Sequence, residues 1–134
     1  MNRFPTWAPQ LLSILRIMAA LLLMAHGLMK LFHFPVAQPG APDPLPTMLL
    51  IAAWIEVLGG ALLVLGLFTR PVAFVLSGEM AVAYFIGHAS HGFWPALNGG
   101  EAAILFCFVF LYIAAAGPGP WSVDAARRGA RVQP

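Results

Sequence analysis

Apolar residues in this chain gather into four runs, and the few polar positions inside them recur at helical spacing. The run 48–68, MLLIAAWIEVLGGALLVLGLF, is about as long as a bilayer core is thick, ~20 residues at ~1.5 Å each. Glu56 sits in its middle, with Gly59 and Gly60 within one turn. A carboxylate left charged towards lipid at that depth costs on the order of 2.5–3.5 kcal/mol. Glu56 must therefore be neutral, paired or turned towards protein. The glycines flatten the same side, so that a neighbouring helix can come close.

The first run spans residues 10–32. At about 100° per residue, Arg16, Ala19, Ala20, Leu23, His26, Gly27 and Lys30 share one stripe on an otherwise apolar helix. Residues 35–46, PVAQPGAPDPLP, form a Pro/Gly-rich loop that excludes helix and central strand. Gly66 closes the second run. The short turn Phe68-Thr69-Arg70-Pro71 then makes the second and third runs antiparallel neighbours. The third run, 71–88, carries Glu79 near mid-depth beside Ser77 and Gly78, with Tyr84, His88 and His91 on another side towards its end. Phe93 and Trp94 in the next loop suit a membrane interface. The fourth run, 99–116, opens at Glu101 after Asn98-Gly99-Gly100 and stops at Gly117-Pro118-Gly119-Pro120. The polar tail after it reads as too short to fold alone. The pattern predicts an all-α, integral-membrane antiparallel four-helix bundle, one domain over residues 1–134, with spans near 10–32, 47–68, 71–88 and 99–116.

Composition supports the membrane assignment. Hydrophobic residues make up 60% of the 134 and charged residues 9%, against about a quarter charged in soluble domains. No basic tract with interleaved aromatics is present, which argues against nucleic acid as a partner. The single cysteine, Cys107, excludes an intrachain disulfide and dithiol exchange, and reads as packing. The N-terminus lacks a small-residue cleavage site after its apolar run, so the first run reads as a retained span. Four spans put both termini on one side with Arg3, Arg70, Arg127, Arg128 and Arg131, while Lys30 lies on the other. The positive-inside rule then predicts a multi-pass protein of the bacterial inner membrane with both termini cytoplasmic.

The polar residues form two groups by depth. Arg16, about 9 Å in from the cytoplasmic side, Glu79 and Glu56 are the deep ones. One reading is an ion-pair lock, Arg16 with Glu79 or Glu56, that only specifies packing. The other is a proton-exchanging or quinone-contacting site, since two buried acids beside one cation are not both easily ionised. His26, Lys30, His88 and Glu101 gather towards the outer face with His33 and His91. Headgroup hydration, a haem held axially by His26 and His88, and a quinone headgroup bound by His26, Lys30, His88 and Glu101 are the readings open there. No spacing supports a metal site.

Arg16, then His26-Gly27-x-x-Lys30-Leu31-Phe32, then Glu56-x-x-Gly59-Gly60-x-Leu62 with Gly66, then Asn98-Gly99-Gly100-Glu101-x-Ala103, then Gly117-Pro118-Gly119 before Trp-Ser-x-Asp form an ordered set. In this order the chain resembles the DoxX family, small four-span bacterial inner-membrane proteins. The resemblance runs from the first span to Asp124. It implies a four-helix membrane bundle and an association with membrane oxidoreductases. Relatives include a subunit of an archaeal thiosulfate:quinone oxidoreductase, and others are linked to complexes that handle thiol stress. The sequence carries no flavin, nucleotide or iron–sulfur signature, so no intrinsic cofactor is expected. Electrons passing near it would be carried by a quinone or a partner.

Three functions follow. The first is a membrane subunit of a quinone-linked oxidoreductase, in contact with lipid and with other membrane or redox subunits, whose polar core forms or flanks a quinone site. The second is a non-catalytic structural or assembly subunit whose buried charges only specify packing. A small proton-coupled carrier using Glu56 and Glu79 is the third, weakened by the lack of inverted repeats.

Overall fold

A computed structural model describes residues 4–132; Arg3, one of the cations placed on the cytoplasmic side, lies outside them. Among the described residues all regular structure is helical: α1 Phe4–Phe32, α2 Thr47–Leu65, α3 Thr69–Gly87, a short 3-10 turn Ala89–His91, α4 Pro95–Asn98, α5 Glu101–Ala116 and α6 Val123–Val132. The stretches Thr6–Phe32, Thr47–Leu65 and Thr69–His91 are long and apolar enough to cross a membrane; Glu101–Ala116 is apolar but shorter. Helix α1 runs through Pro9 instead of starting after it. A proline so early removes one backbone bond near the end, where few are at stake.

Helix α1 packs most extensively on α2, and α3 on α5; smaller contacts join α2 to α3 and α1 to α5. The α1–α2 seam is built from small residues. A β-carbon on Gly27 would stand 2.7 Å from Val57 Cγ2 and 2.8 Å from the Ala53 carbonyl, and one on Gly60 would stand 2.9 Å from Met24 Cβ. Gly27 thus lies opposite residues 53–57 and Met24 opposite Gly60, an antiparallel register. In the second pair Arg70 meets Ala114, Ser77 meets Cys107 and Tyr84 meets Gly100, again antiparallel. Ala20, Leu23, Leu63, Ala73, Leu76, Phe110 and Ile113 close the interior. Leu11, Trp54, Phe74, Phe85 and Leu105 are exposed and form the outward apolar surface that lipid requires.

The turn between α2 and α3 follows from Gly66, which takes φ 70°. Its amide donates to the Leu63 carbonyl at 3.1 Å and the Leu67 amide donates to Leu62 at 2.9 Å, the paired bonds of a Schellman end. The polar tail, expected to be too short to fold alone, is ordered against the spans. Ser122 Oγ accepts the Ala125 amide at 3.0 Å and so caps α6. The segment before it lies on the base of α1, where Ser13 Oγ accepts the Trp121 amide at 3.1 Å. What the tail cannot bury by itself, it buries against the spans.

Candidate functional site

At the α1 start of the structure the buried groups are held by backbone. Arg16 is fully buried, and its Nε donates to the Leu63 carbonyl at 2.8 Å. Its other nitrogens donate to the carbonyls of Pro118 and, at 2.6 Å, Trp121. The expected pairing of Arg16 with Glu56 or Glu79 is therefore corrected. The antiparallel register sets Arg16 beside the C-terminus of α2, where carbonyl oxygens are left over by the helix and carry its negative partial charge. With Leu63 from that end and Pro118 and Trp121 from the segment after α5, the guanidinium is satisfied by three carbonyl oxygens without any carboxylate. Arg70 does the same at the end of α5, donating to Ala114 at 3.1 Å and to Ala115. Asp124 caps α3 from the far end of the chain, accepting the Phe68 and Thr69 amides at 3.0 and 2.9 Å. Burial pushes the Asp124 carboxyl up, but these bonds and the nearby Arg127 charge together outweigh it and hold it below its ordinary value near 3.8.

The opposite end is different. Lys30, one turn beyond Gly27, reaches back along α1, and its Nζ donates to Glu56 Oε1 at 2.7 Å. A side chain on a helix leans towards the helix N-terminus, so a long lysine reaches deeper than its Cα. Counting depth by Cα alone set these two residues in different layers; the side chains join them. Glu56 is only 3% exposed, and its second oxygen has no partner. Both oxygens of Glu79 are also buried without a partner.

Glu56 and Glu79 line one cavity of about 390 Å³ between α2 and α3. Its roof is the proline-rich loop, which lowers Gln38 into it; Lys30 and His88 complete the polar wall. The rim residues Met48, Val82 and Ile86 are apolar and each 55% exposed, so the opening faces the lipid side. A second cavity of about 180 Å³ adjoins it between α1, α3 and α5, sharing Lys30, Gln38, Glu56 and His88 and adding His26 and Phe106.

Of the residues picked out in the sequence, Lys30, Glu56, Glu79, His26 and His88 line these connected cavities. Glu101 does not. It is exposed at the start of α5 and lines neither cavity, so it does not join His26 as expected. Gly99, Ala102 and Ala103 border the smaller cavity at that point instead. His88 Nδ1 bonds the Asn98 carbonyl at 3.1 Å, and Asn98 Oδ1 accepts the Gly100 amide at 2.8 Å. His26 Nδ1 bonds the Leu22 carbonyl at 2.8 Å, and its ring meets Phe106 edge-on. Among the described residues no three His, Cys, Asp or Glu side chains converge as a metal site. Gln38 was missed in the sequence. It sits in an aperiodic loop, and only the return of that loop over the helix ends gives it a role.

The family model DoxX matches residues 11–89. A protein of Haemophilus influenzae described as uncharacterized is 44% identical over 131 residues, covering 92% of this chain and 96% of that protein. The Escherichia coli inner membrane protein YphA is 32% identical over 131 residues, covering 87% of this chain and 89% of that protein. No solved structure matches.

Proposed function

The chain belongs to the DoxX family of membrane proteins, and from that premise we propose that it is a membrane subunit of a quinone-linked oxidoreductase whose lipid-facing cavity receives a quinone headgroup. In this reading α1, α2, α3 and α5 close as an antiparallel four-helix bundle in the bacterial inner membrane. The end that carries Arg70, Arg127, Arg128 and Arg131 faces the cytoplasm, as the positive-inside rule asks.

The observation that carries the reading is a set of buried carboxylate oxygens without partners on the wall of a cavity with an apolar rim. Buried polar groups in folded proteins are almost always bonded, so such a set marks a place where something else binds. Polar residues at membrane depth are costly and are retained for function. An apolar rim at α2 and α3 admits a ligand that travels in the lipid.

The residues present fit a quinone. Lys30 supplies an ammonium donor; Glu79 is a donor in its acid form and an acceptor when ionised. His26 and His88 border the adjoining cavity, where a ring can extend towards Phe106. A bound quinone supplies two-electron chemistry. This chain holds the headgroup, excludes water, and keeps a proton at Glu79 Oε within reach. Electrons enter through another subunit.

The Arg16 end favours the plainer reading for its own residues: its charges are absorbed by backbone and specify packing. For the cavity, the test is quinone retention. Wild-type protein purified from native membranes into lipid nanodiscs is extracted with solvent and assayed for quinone, and membranes are assayed for quinone-linked turnover. Glu79→Leu and Lys30→Met are expected to lose most of both while still unfolding cooperatively. Retention and turnover equal to wild type in both variants would leave the cavity a structural feature.

A further inference from the structure

The unpartnered atoms of the cavity share a chemical character. Among the described residues, the buried side-chain oxygens or nitrogens without a partner are Gln38 Oε1, Glu56 Oε2, Glu79 Oε1, Glu79 Oε2 and Thr69 Oγ1. All except the Thr69 hydroxyl belong to residues that line the one cavity between α2 and α3. Each is an acceptor in the amide or ionised form, and even with Glu79 in its acid form acceptors outnumber the single donor gained. The nearest cationic donor, Lys30, already holds Glu56 at 2.7 Å.

We infer that the cavity selects a ligand that brings hydroxyl donors, the reduced dihydroxy-aromatic form of a quinone, over the oxidised form. This rests on the quinone reading above. A quinone presents two carbonyl acceptors and no donor, so against Gln38 Oε1, Glu56 Oε2 and the Glu79 oxygens it sets acceptor against acceptor, with the Gln38 NH2 able to serve one carbonyl. Lys30 can serve one of its carbonyls and leaves the carboxylate oxygens unsatisfied. A quinol hydroxyl accepts from Lys30 and at the same time donates to a carboxylate. Bonds to ionised oxygens are the stronger kind. A site that accepts but hardly donates therefore discriminates between two molecules of nearly the same shape.

Selective binding of the reduced form also shifts the bound couple. Tenfold tighter binding of the quinol raises the midpoint potential of the bound couple by about 30 mV for two electrons.

The experiment is anaerobic equilibrium dialysis of wild-type protein in nanodiscs against a decyl-chain benzoquinone and, separately, its chemically reduced quinol. The expected result is quinol binding at least ~10-fold tighter than quinone. Glu79→Gln, which exchanges one acceptor for an amide donor in the same shape, should bring that ratio towards one. Gln38→Leu, on a surface loop where folding is little disturbed, should narrow it less. Quinone binding as tightly as quinol in the wild type overturns the inference and leaves the quinone reading in place. A tenfold preference that survives both substitutions also overturns it, because these oxygens would then not be the selectors. Failure of folded wild-type protein to bind either form overturns both readings.

Discussion

Arg16 and Glu79 are both ionisable groups set inside a lipid-facing helical protein, and the structure treats them in opposite ways. Around Arg16 three carbonyl oxygens converge from the α2 end and the C-terminal turn, and the guanidinium is wholly enclosed. Around Glu79 no hydrogen-bonding group of the protein meets either oxygen, and a cavity adjoins them. The same cost of burying a charge has been offset at one end by tying the chain together. At the other end it has been left standing beside a space. An end of the first kind contributes stability, and one of the second kind lowers it, the pattern by which functional sites commonly trade stability for activity. The chain thus divides along its length into an anchored end and a receptive end, joined by the glycine seam of α1 and α2.

The largest test of this contrast is at Arg16. Arg16→Met removes the guanidinium, strands the inward Pro118 and Trp121 carbonyls and leaves Leu63 only its Gly66 bond, so we expect a loss of about 3 kcal/mol, read as a lower midpoint in thermal or denaturant unfolding in detergent. Arg16→Lys should recover only part, because one ammonium cannot span the three directions of the fork. A methionine variant that unfolds with wild type would mean that the anchored end is not anchored by this residue.

The Lys30–Glu56 pair stands between the two kinds of end. Lys30→Met leaves a buried carboxylate without its cation and should cost about 3 kcal/mol. The double variant Lys30→Met, Glu56→Leu should recover most of that loss, since an apolar pair of similar volume is often as stable as a buried ion pair. If the double variant is as unstable as the single one, the two residues are not energetically coupled.

For Glu79 the sign reverses. Replacing an unpartnered buried acid with Leu should leave stability unchanged or raise it by about 1 kcal/mol, while quinone retention is lost. Calorimetry and retention measured on one preparation would check both halves. A variant that is destabilised as strongly as the Arg16 variant would show that Glu79 is held by structure after all, and the contrast would collapse.

The smallest effect belongs to Asp124, at the anchored end. Asp124→Ala should cost about 1 kcal/mol, the usual worth of a helix cap. Because the folded carboxyl lies below its ordinary value, its contribution is present above that value, near 3.8, and fades as the pH falls through the lower folded one. Unfolding midpoints of wild type should therefore drop on the acid side of about 4 more steeply than those of Asp124→Asn. Parallel acid slopes would show that the capping charge adds nothing.

Much of this molecule is determined by local pattern. The apolar runs, the breaks at the proline-rich loop and at Gly66, and the helical stripe of Arg16, His26, Gly27 and Lys30 need only periodicity and turn chemistry, which act over a few residues. The Ser122 cap and the acid two residues later were also present as a helix-start signal, overlooked because the tail is polar. That Gly59 and Gly60 allow close approach could be argued from size alone.

Pairing was beyond that reach. Whether Arg16 meets a carboxylate or a set of carbonyls depends on which helix end lies beside it, and helix-end oxygens are backbone atoms that no residue letter announces. That Lys30 reaches Glu56 depends on side-chain lean and helix register, not on Cα depth. Glu101 and Gln38 exchanged roles for a similar reason. At the start of α5, Ala102 and Ala103 border the cavity and Glu101 is exposed, while a loop without any periodicity folds back over it. The sequence by itself determined which groups would be buried in an apolar surrounding, because burial follows from the pattern of neighbours along the helix. Only the tertiary structure decided which of them would be satisfied, because hydrogen bonds need partners within about 3 Å, and those come from parts of the chain far away in sequence.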